Sequence, residues 1–231
     1  MAILELHALS KRYGKKLALD SVDLRVESGR VVGLLGPNGS GKTTMIKLAN
    51  GLLTPSSGEL LIDGMRPGSE TKALVSYLSD KEYLPNWMSV RQLMDFFQDF
   101  YADFDRARAE EMLQRLDIDP GMRIKAMSKG TREKMQLILV MSRQAKLYLL
   151  DEPIGGVDPA TRDYILETIL RNYNPEAAVI ISTHLIADVE AVLDDVIFIQ
   201  NGRILLSSSV DQIREEHGMR VDQYFREVFK C

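Results

Sequence analysis

Gly36-Pro37-Asn38-Gly39-Ser40-Gly41-Lys42-Thr43-Thr44 is the stretch that decides the fold class. It fits the pattern G-x-x-x-x-G-K-[ST], with the apolar run Val31 to Leu35 before it and a helical pattern, Thr43 to Asn50, after it. Glycines let a backbone wrap closely around an anion with successive amide N–H groups turned inward. The start of the following helix adds its partial positive charge. In such a cradle Lys42 bridges the terminal phosphates of a nucleoside triphosphate, and the Thr43 hydroxyl holds magnesium.

Working outward, Leu147-Tyr148-Leu149-Leu150-Asp151-Glu152 is a core strand tipped by two carboxylates. In a parallel α/β sheet ligands bind at such strand ends. Asp151 is there the magnesium anchor and Glu152 the general base that polarises an attacking water. A third apolar run, Val179 to Ile181, leads through Ser182 and Thr183 to His184, from where an imidazole could reach the terminal phosphate. Continuous apolar runs of this kind suit strands covered on both faces. By contrast Ile3 to Leu6, Leu19 to Val26 and Leu60 to Ile62 alternate or are briefly apolar, which predicts short antiparallel strands near the N-terminus.

From Ser89 to Gln144 the pattern is helical, with no convincing strand. Val90, Leu93, Met94, Phe97 and Phe100 share one predicted face, as do Ile165 and Ile169 further on; Met135 to Met141 is apolar nearly all round, the mark of a buried helix. A last short helix is predicted over Val221 to Phe229, with Val221, Phe225, Val228 and Phe229 on one side. The expected architecture is a P-loop NTPase core with a parallel central sheet, an N-terminal antiparallel β subdomain and a helical subdomain, roughly 85–145, inserted into one α/β domain spanning 1–231.

Composition narrows the class. The 231 residues are 45% apolar, enough for one substantial core. A net charge of -4 disfavours a protein that coats nucleic acid. The single cysteine, Cys231, excludes a disulfide framework within one chain and points to a reducing cytoplasm. No run approaches the ~18 apolar residues of a membrane helix, and the N-terminal Met-Ala-Ile-Leu-Glu-Leu-His does not read as a signal peptide. Any membrane role is therefore expected to come through a partner.

With these motifs in order, the chain resembles the ATP-binding subunit of ABC transporters over nearly its whole length. Met127-Ser128-Lys129-Gly130-Thr131 is similar to the family's signature, usually written LSGGQ, with the serine and second glycine kept. The resemblance implies that Tyr13 stacks on adenine and that Gly155-Gly156-Val157-Asp158 is the loop crossing a dimer interface. It also makes His184 the switch histidine. Two such subunits pack head to tail, so Ser128 and Gly130 of one would serve the ATP held by the other's glycine loop. ATP and Mg2+ are the implied ligands, and a second ATP-binding subunit and a separate membrane-spanning subunit the implied partners. The implied location is the cytoplasmic face of the cell membrane. The end of the chain soon after the core leads us to expect an exporter-type subunit; an ABC-type ATPase with a soluble regulatory or mechanochemical role is the alternative. One position departs from the family: where a glutamine usually touches magnesium, alignment on Tyr77-Leu78-Ser79 puts Asp80, a shorter side chain that adds charge and cannot donate when ionised.

Overall fold

The computed structural model describes residues 1–155 and 159–229. In chain order the elements are β1 (Ala2–Tyr13), β2 (Lys16–Glu27), β3 (Val31–Leu35), α1 (Lys42–Ala49), β4 (Ser57–Ile62), α2 (Ser69–Leu74), β5 (Val75–Leu78), α3 (Val90–Phe100), α4 (Arg106–Arg115) and α5 (Lys129–Met141). They continue with β6 (Leu147–Asp151), α6 (Pro159–Asn172), β7 (Ala178–Thr183), α7 (Ile186–Val189), β8 (Asp195–Gln200), β9 (Arg203–Ser209), α8 (Val210–His217) and α9 (Val221–Phe229). β2, β1 and β4 form a three-stranded antiparallel sheet. The second sheet has the order β5-β6-β7-β3-β8-β9, parallel from β5 to β8 and closed by an antiparallel β9. The P-loop NTPase core, its parallel sheet and the antiparallel β layer are as the sequence leads one to expect.

Burial explains the layering. Every residue of β3, β6 and β7 is buried, so these strands need cover on both faces. Their side chains alternate between two cores. Val32, Leu34, Leu147, Leu149 and Ile180 join α1 and the antiparallel sheet in one apolar cluster. Val31, Leu35, Tyr148, Leu150, Val179 and Ile181 join the helices between β5 and β6 in the other. The period of two along each strand is thus what places the β layer and the helical segment on opposite faces. The helices of that segment start on good caps: Ser89 and Gln92 make a capping box for α3, and Ser128 accepts the Thr131 N–H at the start of α5.

Three strands, β5, β8 and β9, lie beyond those the periodicity singles out. β8 and β9 form a hairpin around Asn201-Gly202, both at positive φ (50° and 78°), the turn chemistry of a tight hairpin. Phe100 also departs from expectation. Val90, Leu93, Met94 and Phe97 are buried as predicted, but Phe100 is 69% exposed, because α3 ends there and its last turn runs past the body it packs on. Phe100 lies instead against Phe96, with ring centroids 4.7 Å apart and the rings tilted by 36°.

Arg143 joins the helical segment to the sheet. It lies just beyond α5 and is 2% exposed. Its guanidinium donates to the Ala73 and Val75 carbonyls at 2.7 and 2.5 Å and to both oxygens of Asp103 at 3.1 Å, and it lies over the Tyr101 ring. Removing it leaves a carboxylate and two carbonyls without their cation. Arg143→Met is expected to lower folding stability by about 3 kcal/mol, read as an earlier midpoint in urea denaturation; an unchanged midpoint would show that the joint bears no load.

Candidate active site

The glycine loop is shaped by what it touches. A side chain at Gly36 would put its Cβ 2.2 Å from the Ile199 carbonyl oxygen, so β8 passes directly under the start of the loop. Gly41, which precedes α1, has φ +120°, and a Cβ there would lie 2.8 Å from the Ala18 carbonyl. Both constraints require glycine. The loop runs into α1 with no side chain capping that helix, so its first N–H groups remain available to an anion. The Ser40 hydroxyl oxygen is buried and has no hydrogen-bond partner among the described residues.

Lys42 is the first residue of α1 and is buried. Its Nζ donates to the Gly36 carbonyl at 2.7 Å and lies 3.6 Å from Glu152 Oε1. Burial pushes its pKa down, while the neighbouring Glu152 carboxylate works the other way. Thr43 donates from Oγ1 to Asp151 Oδ1 at 3.2 Å, and Ser182 donates to the same oxygen at 2.6 Å. Asp151 is 1% exposed, and its Oδ2 is buried without a partner. Burial raises its pKa above the usual carboxylate value, against the two hydroxyl bonds that lower it. A carboxylate oxygen kept dry and unpaired beside a hydroxyl is a hard oxygen donor set that fits a magnesium ion.

Glu152 follows on the same strand tip with φ +52°, a left-handed conformation that a non-glycine residue adopts only where its surroundings enforce it. Its N–H donates to the Ser182 carbonyl at 3.0 Å, and Gly155 N–H closes the turn onto the Glu152 carbonyl at 3.0 Å. This turn sends the carboxylate toward α1, where one oxygen faces Lys42 and the other takes a hydrogen bond from His184 Nδ1 at 3.0 Å. Three chain segments of widely separated number therefore meet at one carboxylate.

A cavity of about 290 Å³ lies over this group, bordered by Tyr13 and Lys16, by Asn38, Gly39, Gly41, Lys42, Thr43 and Thr44 of the loop and α1, and by Asp80 and Glu152. The predicted residues Tyr13, Asn38, Gly39, Gly41, Lys42, Thr43, Thr44, Asp80 and Glu152 thus face one space. Gly36, Pro37 and Ser40 complete the loop beneath. Ser128 and Gly130 border neither this cavity nor the adjoining one of about 150 Å³. Ser128 is exposed at the start of α5, its Oγ 2.8 Å from Thr131 Oγ1. Asp158, with Gly156 and Val157, lies outside the described residues. One residue of the site carries no mark in the motifs: Ser182, whose hydroxyl and carbonyl hold Asp151 and the Glu152 backbone. Its place as the first polar residue after the apolar run Val179 to Ile181 is the one trace of it in the sequence.

Residues 19–155 match the ABC transporter family profile. The chain belongs to that family. As an ABC ATPase it hydrolyses ATP. It is 31% identical over 227 residues to the daunorubicin resistance ATP-binding protein DrrA3 of Streptomyces coeruleorubidus, covering 94% of this chain and 72% of that one. It is 29% identical over 218 residues to the ABC transporter ATP-binding protein YtrB of Bacillus subtilis, covering 93% and 75%. A solved ATP binding subunit of an ABC transporter superposes with a TM-score of 0.88 at 28% identity, covering 98% of this chain and 99% of that chain. A bacterial Atm1-family ABC exporter with ATP bound shares the fold, with a TM-score of 0.81 at 18% identity. Among the described residues no helix is long and apolar enough to cross a membrane.

The buried charge of Asp151 is a local cost to folding. With a raised folded pKa, the unfolded chain ionises first as pH rises, so stability falls through the window above the ordinary carboxylate value. Asp151→Asn is therefore expected to raise the Tm of the nucleotide-free chain at pH 7.5 by about 2–4 °C, with the gain shrinking toward pH 4. Differential scanning fluorimetry across that range checks it; a lower Tm for the variant at every pH would refute the assigned penalty.

Proposed function

We propose that the chain is the ATP-hydrolysing subunit of a transporter whose path is built by a separate membrane-spanning subunit, at the cytoplasmic face of the cell membrane. The observation that carries this is the run of contacts joining Lys42, Thr43, Asp151, Glu152 and His184 next to a cavity that Lys42, Thr43 and Glu152 border, while Ser128 and Gly130 border neither that cavity nor the adjoining one. A single chain then holds the donor half of a nucleotide site and, elsewhere, a helix start suited to another chain's nucleotide. Two ATP-binding subunits packed head to tail would close both sites, with Asp158 at their interface. The unit acting this way is one ATP-binding domain, with the segment of about 85–145 as its helical subdomain.

In the proposed reaction Tyr13 stacks on the adenine and the amides of Gly36 to Thr44 hold the phosphates. Lys42 leaves the Gly36 carbonyl for the terminal phosphates. Thr43, Asp151 and Asp80 would hold Mg2+, which when bound neutralises charge on the phosphate oxygens. Glu152 takes a proton from the water that attacks the γ-phosphorus, the bond to the bridging oxygen of ADP breaks, and inorganic phosphate leaves. The hydrogen bond from His184 keeps the Glu152 carboxylate turned toward that water. Export is the direction we favour, supported by a relative named for daunorubicin resistance.

Glu152→Gln keeps the shape of the side chain and removes the base. It is expected to slow hydrolysis by about 10²–10⁴-fold and to leave the ATP-bound pair unable to open. Size-exclusion chromatography of Glu152→Gln with ATP and Mg2+ should show a dimer that the nucleotide-free protein does not. A persistent monomer would count against head-to-tail closure of identical chains, and unchanged turnover against Glu152 as the base.

A further inference from the structure

Asp80 changes what the cation position can do, an inference that rests on the ATP-site reading above. Asp80 follows β5 and borders both cavities, the one over the glycine loop with Thr43 and the adjoining one with Asp151 and Glu152. It is exposed, its hydrogen bond among the described residues is a 3.3 Å contact from the Ser79 hydroxyl, and it forms no ion pair there. Asp151 borders the adjoining cavity with Asp80; it is buried, and its Oδ2 has no hydrogen-bond partner among the described residues. Lysines also border these cavities. Lys42 is engaged by the Gly36 carbonyl and Glu152, Lys129 lies 3.7 Å from Glu133, and Lys16 and Lys81 stand at the edges. None of them is bonded to Asp80 or to Asp151 Oδ2.

Magnesium ordinarily binds an ATPase through one or two carboxylates and completes its shell with phosphate oxygens and water. A neutral amide at position 80 would leave Asp151 as the single charged ligand, and the nucleotide would have to bring the remaining charge. A carboxylate there supplies a second negative ligand from the chain itself. We infer that Asp80 and Asp151, with the Thr43 hydroxyl, hold a divalent cation before any nucleotide arrives. The cation then precedes ATP into the site and stays after the products leave, so ATP enters an already metallated cradle.

Mn2+ is the probe, counted as free ion by electron paramagnetic resonance during titration of the full-length nucleotide-free chain. The wild type is expected to take up one Mn2+ per chain. Asp80→Asn and Asp80→Gln should each weaken that binding at least tenfold, with no change in thermal melting because the side chain is exposed. Asp99→Asn removes an exposed carboxylate that borders neither cavity and should leave the affinity unchanged. A fluorescent ATP analogue added in EDTA should bind wild type and Asp80→Asn alike, which separates the metal position from the phosphate cradle. Equal Mn2+ affinity in wild type and Asp80→Asn overturns the inference, as does a wild type that binds the analogue and takes up no Mn2+. A wild type that binds neither overturns the ATP-site reading as well.

Discussion

The Asp151 carboxylate, pinned between the hydroxyls of Thr43 and Ser182, ties α1 to two neighbouring strands of the sheet. Thr43 belongs to α1, Asp151 ends β6 and Ser182 lies on β7. A shift of any one by a residue breaks a hydrogen bond in a dry place and leaves charge unpaired, which is costly. The parallel ladder from β6 through β7 to β3 sets the coarse alignment. The hydroxyl–carboxylate contacts then bring the glycine loop and the acid pair to hydrogen-bonding precision. Around this knot the loop has little freedom, because Gly36 and Gly41 lie against backbone carbonyls that admit no side chain.

Stability and chemistry pull in opposite directions here. An asparagine would satisfy position 151 more cheaply, and a glycine would sit more comfortably at the left-handed φ of Glu152. Neither could do what the carboxylates do. Compensation comes from the apolar cores on the two faces of the sheet and from buried joints such as Arg143.

What could be read without coordinates was whatever is local in the chain. The glycine loop, the acid pair and His184 are contiguous motifs whose spacing carries their meaning, and the continuous apolar runs announced a sheet covered on both faces. Contacts between distant segments were not legible. Ser182 looks like any small residue in a strand until β6 is placed beside it. The passage of β8 under Gly36 depends on a hairpin whose Asn-Gly turn was available in the sequence but whose position in the sheet was not. Phe100 shows the limit of periodicity: the 3.6-residue pattern says which side a residue faces, not whether anything lies there to cover it. Ser128 and Gly130, for their part, cannot be understood from one chain at all.

The joint at Arg143 has a mechanical consequence. α5 runs from Lys129 to Met141, 13 residues, a rod of about 20 Å at 1.5 Å per residue. Arg143 clamps one end to the sheet, and Ser128 rides on the other. A tilt of about 10° at the clamp would swing the serine through about 3 Å, the length of a hydrogen bond, over a rod of that length. The helix is in effect a lever with its fulcrum buried in the protein, and small adjustments at the sheet are magnified where another molecule has to be met.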